Sequence, residues 1–367
     1  MATRRQFIGI TAGALAATPL AALASDAGAA IASAPQPLDI LVLGGTGFLG
    51  PHQINYAVAR GHRVAMFNRG SKAGMFGDAV EEIIGNRDSR IDPGLSALAG
   101  DRRWDVVIDN SGYVPRQVRD SAELLKDRCG RYIYVSTLSV YDFGIGASEF
   151  PESAKLADLE DPTVEEVTGE TYGPLKAACD RAVREILGDR CTVVRPTYVV
   201  GPGDSTDRFT YWVERIFRGG EVLAPPGPKR EVQWVDARDL CPWLVTLAEN
   251  DTPGIFNAAG PSSRVDRDGL MWGLRAQTAE PVEFFWPTDE LVNELGINLP
   301  LMAGEDESLH FANAASMAAG LRYRSLADSA AGTHEWWMAQ PEERRANPRR
   351  WPTPEQEKAV IDRIRGA

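Results

Sequence analysis

The chain has 367 residues, 44% hydrophobic and 25% charged, which is the composition of a folded protein and excludes a disordered chain or a polytopic membrane protein. Its 39 basic residues against 51 acidic ones leave a formal charge of −12, which repels phosphate backbones and anionic lipid, so nucleic acid is not an expected partner. Cys129, Cys179, Cys191 and Cys241 show neither CxxC nor zinc-like spacing, so buried thiols are expected and neither a disulfide framework nor a metal site.

Residues 1–34 read as a targeting segment. Thr3-Arg4-Arg5-Gln6-Phe7-Ile8 precedes an uncharged Ala/Gly/Leu stretch over 9–24, and small-residue cleavage sites lie at Ala22-Leu23-Ala24 and Ala32-Ser33-Ala34. That run is too short and too weakly apolar for stable membrane insertion. The Arg pair, with Phe two positions after it, resembles a twin-arginine signal. The resemblance implies cytoplasmic folding, often with cofactor bound, and a periplasmic or extracellular workplace; a chance Arg pair would leave the protein cytoplasmic. Pro35-Gln36-Pro37 then makes a short stiff spacer.

The fold begins at residues 38–43, a short apolar run of buried-strand character, followed at once by Gly44-Gly45-Thr46-Gly47-Phe48-Leu49-Gly50. Residues 48–60 have helical length and periodicity, and 61–67 read as turn and second strand. Strand, glycine turn, helix, strand is the context a dinucleotide site requires. Gly44, Gly47 and Gly50 let the backbone approach a pyrophosphate, and the helix opening at Phe48 and Leu49 offers unpaired N–H groups to its charge. Further strands are expected at 81–84, 104–109, 131–136 and 191–194, with helix-length segments between most of them. Such alternation specifies an α/β, Rossmann-type doubly wound parallel sheet. Residues 38–200 then form the dinucleotide-binding domain, and 201–367 a smaller α/β substrate lobe with C-terminal helices, partly interleaved with it.

The end of the second strand bears on the cofactor. An acidic residue there would grip the 2′-hydroxyl of NAD, but this chain has Asn68-Arg69-Gly70. Asn68 tolerates a phosphate and Arg69 attracts one, so NADP is favoured over NAD. Asn86 follows the third strand and is placed to meet the adenine edge.

Two motifs carry the chemistry. Tyr172-Gly173-Pro174-Leu175-Lys176 sets a phenol and an ammonium one helical turn apart, in a helix whose first turn accepts Pro174. A free phenol titrates near 10, and holding half of it ionised at neutral pH takes about 4 kcal/mol, which Lys176 and an oxidised nicotinamide could share. The product is a general acid/base suited to alcohol–carbonyl interconversion. The second motif, Tyr134-Val135-Ser136-Thr137-Leu138-Ser139-Val140-Tyr141, supplies hydroxyls at a strand end.

Together these motifs resemble the extended short-chain dehydrogenase/reductase family, which holds the sugar-nucleotide epimerases and dehydratases. Gly44, Gly47 and Gly50 match its GxxGxxG, and Tyr172 with Lys176 its YxxxK. Thr137, four residues before Tyr141, matches its catalytic Ser or Thr, with Ser136 as the alternative hydroxyl and a cofactor contact. The segment from Arg195 to Asp204 is similar to the family's stretch in which backbone near Pro196 meets the nicotinamide amide. Val235-Asp236-Ala237-Arg238-Asp239-Leu240 is similar to its later strand-to-helix motif. Asn110-Ser111-Gly112 departs from the family's small apolar ending of the fourth strand, and a satisfied loop amide is expected there. The acidic stretch over 149–170 reads either as a flap over the site or as a solvated loop. The resemblance also implies a homodimer.

The substrate lobe is expected to use Arg208 and Gln233, which suit a polyhydroxylated, sugar-like ligand. The aromatics around them suit either stacking on such a ligand or packing inside the lobe. Trp336-Trp337 reads as packing for a C-terminal helix. An exported enzyme has no pool of reduced dinucleotide to draw on, so a redox-neutral epimerase or dehydratase with tightly bound, recycled cofactor is expected. The alternatives are an NADP-dependent reductase or dehydrogenase and a non-enzymatic dinucleotide-binding protein.

Overall fold

The computed structural model describes residues 31–301 and 309–366. The twin-arginine reading rests on residues 1–30, outside the described residues.

The chain runs through β1 (Asp39–Leu43), α1 (Leu49–Ala59), β2 (Arg63–Asn68), β3 (Glu81–Ile84), β4 (Trp104–Asp109), α2 (Pro115–Leu125), β5 (Cys129–Val135), β6 (Glu149–Phe150), α3 (Tyr172–Leu187) and β7 (Cys191–Pro196). It continues through β8 (Tyr198–Val200), α4 (Arg208–Phe217), β9 (Gly220–Leu223), β10 (Trp234–Asp236), α5 (Ala237–Glu249), β11 (Gly254–Ala258) and α6 (Arg267–Arg275). The last elements are β12 (Val282–Phe285), α7 (Asp289–Glu294), β13 (His310–Phe311), α8 (Ala314–Ala318), α9 (Leu326–Met338), α10 (Glu342–Ala346) and α11 (Pro354–Arg365).

Seven strands form one sheet in the order β11-β7-β5-β4-β1-β2-β3, and every pairing is parallel. The order reverses between β1 and β4, where a doubly wound sheet opens a crevice at its C-terminal edge. Side chains alternate across the sheet. Ile40 and Val42 therefore bury on the face covered by α1 and α5, and Leu41 and Leu43 on the face covered by α2 and α3. All four cysteines are free and buried.

The expected strands fall within two residues of the observed ones, because each carries an apolar stretch that ends at a turn. The seventh sheet strand, β11, comes from residues 254–258, after the first part of the substrate lobe. The dinucleotide-binding body therefore extends beyond residue 200. Gly-Ile-Phe-Asn-Ala is too short a run to distinguish from a lobe strand until β7 pairs with it.

The lobe has its own core. Phe209, Tyr211 and Trp212 of α4 are buried with Val222, Leu270, Leu274 and Ile361. Trp212 donates to the Pro300 carbonyl (2.7 Å) and Tyr211 to Glu357, so these aromatics are structural and do not stack on substrate. Trp337 is buried and packs on Trp351, as a helix-packing role requires. The acidic stretch over 149–170 is tied down: β6 pairs with β13, Asn257 N–H donates to Glu152, and Glu165 bonds Arg90 and Arg116. Among the described residues no helix is long and apolar enough to cross a membrane.

Candidate active site

A cavity of about 710 Å³ opens at the C-terminal ends of β1, β4, β5 and β7. Its walls include Gly44, Gly47, Phe48, Leu49, Gly50, Ser136, Thr137, Tyr172, Lys176, Pro196, Arg208 and Gln233. Twelve of the expected site residues are thus brought to one cavity. Asn68, Arg69 and Asn86 lie outside that lining, at the ends of β2 and β3.

The glycine turn fits a dinucleotide. Gly44 has a φ of +87°, and a Cβ on Gly50 would stand 1.9 Å from the Gly45 carbonyl oxygen, so both are fixed by the turn itself. A Cβ on Gly47 would meet nothing within 4 Å; it would project into the cavity. No side chain caps α1 and its first turn holds no acid, which leaves its N–H groups to an anion. Gly47→Val should therefore keep the wild-type melting temperature and lose dinucleotide affinity at least about a hundredfold, ~3 kcal/mol, by titration calorimetry. Gly50→Ala should instead lower the melting temperature, because its clash is with backbone.

At the end of β2, the Asn68 amide donates to Glu82 (2.9 Å) and accepts from Gly70 N–H (2.5 Å). Glu82 also accepts from Gly74 N–H, so this nearby carboxylate is engaged and not aimed at a ribose. Arg69 is exposed, and Lys72 donates to the Thr46 carbonyl of the glycine turn (3.0 Å). The Asn86 carbonyl oxygen accepts from Asp88 N–H, an Asx turn.

Tyr172 opens α3, so its phenol stands at a helix end facing Thr137 at the end of β5. Burial pushes the phenol above its ordinary value, and the Thr137 hydroxyl and the Arg208 charge pull the other way. Lys176 sits deeper. Its ammonium donates to the Gly112 carbonyl (2.7 Å) and the Val135 carbonyl (2.8 Å), and it lies 4.3 Å from the Tyr134 ring centroid. Burial lowers it to about 8. Two of its three protons are spoken for, which leaves one for a ligand hydroxyl.

Ser136 has a buried hydroxyl without a hydrogen-bond partner among the described residues, and it lines the cavity. Thr137 accepts from Ser139 N–H (3.2 Å). Arg208 donates from Nε to Thr206 (2.9 Å) and lies 4.9 Å from the Tyr198 ring centroid. The Gln233 amide is engaged at both ends, donating to the Phe311 carbonyl (3.0 Å) and accepting from Phe311 N–H (2.8 Å). It thereby anchors β13 along the cavity wall. Asn110 donates to Gln53 (2.7 Å), but its side-chain carbonyl oxygen has no partner among the described residues, so the loop amide is only half satisfied.

The sequence reading missed Tyr113, Asp204, Glu231 and Arg267, which also line the cavity. Tyr113 is half exposed, 6.4 Å from the Tyr172 ring between centroids. Only the Gly-Pro-Gly before Asp204 carried a signal, that of a tight turn.

The profile of the NAD dependent epimerase/dehydratase family matches residues 40–259. Among solved structures, a putative epimerase from Burkholderia cenocepacia superposes with a TM-score of 0.61 at 16% identity, over 86% of this chain and 100% of that one. The Bordetella bronchiseptica enzyme WbmG, in complex with NAD and UDP, gives 0.60 at 14% identity, over 83% and 95%. UDP-glucuronic acid 4-epimerase from Bacillus cereus, in complex with NAD, gives 0.58 at 15% identity, over 82% and 98%. A curated relative, the chloroplast stem-loop binding protein of 41 kDa b of Arabidopsis thaliana, is 26% identical over 261 residues, 66% of this chain. The chain spans 64% of that relative's length. With the glycine turn, the Thr137–Tyr172–Lys176 set and a family match that covers most of the sheet, this chain belongs to the NAD dependent epimerase/dehydratase family.

Proposed function

We propose that the protein is a redox-neutral epimerase or dehydratase that oxidises and re-reduces one hydroxyl-bearing carbon of a sugar-like substrate on a dinucleotide it does not release. The observation that carries this reading is the meeting of the Tyr172 phenol, the Thr137 hydroxyl and the Lys176 ammonium in the cavity that contains the glycine turn. The UDP and NAD in the complex of WbmG support the substrate and cofactor classes.

When bound, the nicotinamide supplies a reversible hydride acceptor. Gly44, Gly47 and the first N–H groups of α1 would hold its pyrophosphate, and the free Lys176 proton a ribose hydroxyl. Tyr172 takes the proton from the reacting hydroxyl as the C–H bond breaks and returns it in the reverse step, while Thr137 donates to the same oxygen. The exposed Arg69 and the Lys72 ammonium on the glycine turn favour NADP over NAD, since Glu82 is already bonded to Asn68 and Gly74. Export by the twin-arginine route accords with a cofactor loaded before transport. The acidic charge of the chain opposes the stem-loop binding named for the curated relative.

The test is to purify the protein without added nucleotide, denature it and identify what is released by mass spectrometry. NADP in near-stoichiometric amount is expected. An empty protein that turns over only with added NADPH would instead establish a dissociating reductase.

A further inference from the structure

Asp204 stands on a turn built to hold it still. Gly201 and Gly203 have φ of +110° and +92°, conformations that L side chains rarely adopt. Asp204 N–H closes the turn on the Gly201 carbonyl (3.2 Å), and the Pro202 carbonyl accepts from His52 Nε2 of α1 (2.7 Å). Burial pushes His52 down, which keeps it a neutral donor.

Asp204 is 2% exposed. Its Oδ1 accepts from both Thr206 N–H (2.8 Å) and the Thr206 hydroxyl (2.6 Å). Its Oδ2 has no hydrogen-bond partner among the described residues, although the residue lines the cavity. A buried carboxylate oxygen left without a donor is costly, so such atoms in native proteins are completed by water or by ligand. Burial raises the carboxyl above its ordinary value, opposed by the Thr206 bonds and the Arg208 charge.

Arg208 is linked to Asp204 through Thr206, since its Nε donates to the same hydroxyl that donates to Oδ1. Its guanidinium also acts electrostatically on the Tyr172 phenol. An acceptor on the turn and a donor at the start of α4 are therefore linked through Thr206, in the cavity that holds the reacting hydroxyls.

We propose that Asp204 Oδ2 and the Arg208 guanidinium together grip a vicinal diol of the substrate ring, Asp204 accepting from one hydroxyl and Arg208 donating to its neighbour. This rests on the reading of a sugar-like substrate and adds which groups select it. Asp204 takes no part in proton transfer; it sets affinity and the position of the ring above Tyr172. A substrate lacking either hydroxyl leaves one of the pair unsatisfied and binds worse.

The test uses the full-length chain loaded with dinucleotide. UDP-glucose, D-glucose and its 2-, 3- and 4-deoxy analogues are titrated into wild type and Asp204→Asn, which keeps the Thr206 bonds through Oδ1. Asp204→Asn should bind the parent sugar at least about tenfold more weakly with unchanged melting temperature and dinucleotide affinity. One deoxy analogue should bind wild type that weakly and lose nothing further in the variant, closing a double-mutant cycle. Equal affinities of wild type and variant for every probe, or a lowered melting temperature with all affinities reduced together, would overturn the proposal and make Asp204 a turn-holding residue. Binding of no probe by wild type would overturn it too, and a protein that still releases NADP on denaturation would show that the proposed function survives without it.

Discussion

Tyr172→Phe is expected to lower the rate of hydride transfer by about 10²–10⁴-fold, the usual worth of a positioned acid/base, with dinucleotide affinity unchanged. Only the hydroxyl is removed, and the aromatic ring stays near Tyr113. The pH profile separates this loss from a packing defect. Burial places the phenol above its ordinary value, so at neutral pH the phenolate is the minor form and the wild-type rate should rise with pH until the phenol of the complex is ionised. The Lys176 ammonium, lowered to about 8, loses its charge over the same alkaline range, which should blunt the rise. In Tyr172→Phe the rising limb should vanish. Single-turnover reduction of the bound dinucleotide by UDP-glucose or UDP-glucuronic acid, followed by absorbance, measures both quantities. A rising limb that persists in the variant would assign the base to another group.

The largest effect on stability is expected from Asp109→Ala. Asp109 ends β4 with no exposed surface and is bound bidentately by Arg87 (2.5 Å for each contact), by the Tyr132 hydroxyl (2.8 Å) and by Ser111 N–H (3.0 Å). Burial opposes the Arg87 charge, but the Asp109 carboxylate together with the Tyr132 and Tyr134 phenols outweighs it and keeps Arg87 above its ordinary value. Removing the carboxylate leaves that buried guanidinium without a counter-charge, with only the Ser111 and Ser121 hydroxyls beside it, and takes an acceptor from Tyr132, at a cost of about 3–5 kcal/mol. Against a typical stability of about 5–15 kcal/mol this threatens the fold. The urea midpoint should fall accordingly. Removing both charges, in Arg87→Met with Asp109→Leu, should recover most of the loss, since no uncompensated ion remains.

That pair also bears on the site. Ser111 and Gly112 follow Asp109, and the Gly112 carbonyl accepts from both Lys176 and the Tyr134 hydroxyl (2.8 Å). Loosening the loop in Asp109→Ala should therefore weaken dinucleotide binding as well as the fold. In the doubly substituted protein the affinity should return only as far as the loop does, which titration calorimetry at a temperature well below unfolding reads directly.

The sequence by itself determined the features whose cause lies within a few neighbouring residues. The glycine turn sits between an apolar run and an amphipathic stretch, and Tyr172 with Lys176 sit one helical turn apart, so periodicity and spacing suffice to place them. The parallel sheet follows because alternating βα units have few other ways to bury both faces of their strands. The run that makes β5 ends at Val135 and placed Ser136 and Thr137 together at the strand end; the preference for Thr137 came from the family resemblance and not from patterning.

The tertiary structure decided what depends on partners far apart in the chain. Arg87 and Asp109 are 22 residues apart and meet only because β3 and β4 end on the same edge of the sheet. Gln233 had the chemistry of a substrate ligand, yet both ends of its amide are taken by Phe311, 78 residues away. The aromatics of α4 suited a sugar equally well until the lobe closed over them. Asp204 gave no local sign beyond its glycines, because an unpartnered buried oxygen exists only once β8, α1 and α4 have come together around it. Local order is encoded by short-range sterics and patterning, while the hydrogen-bond balance of a buried polar group is settled by every chain segment that packs against it.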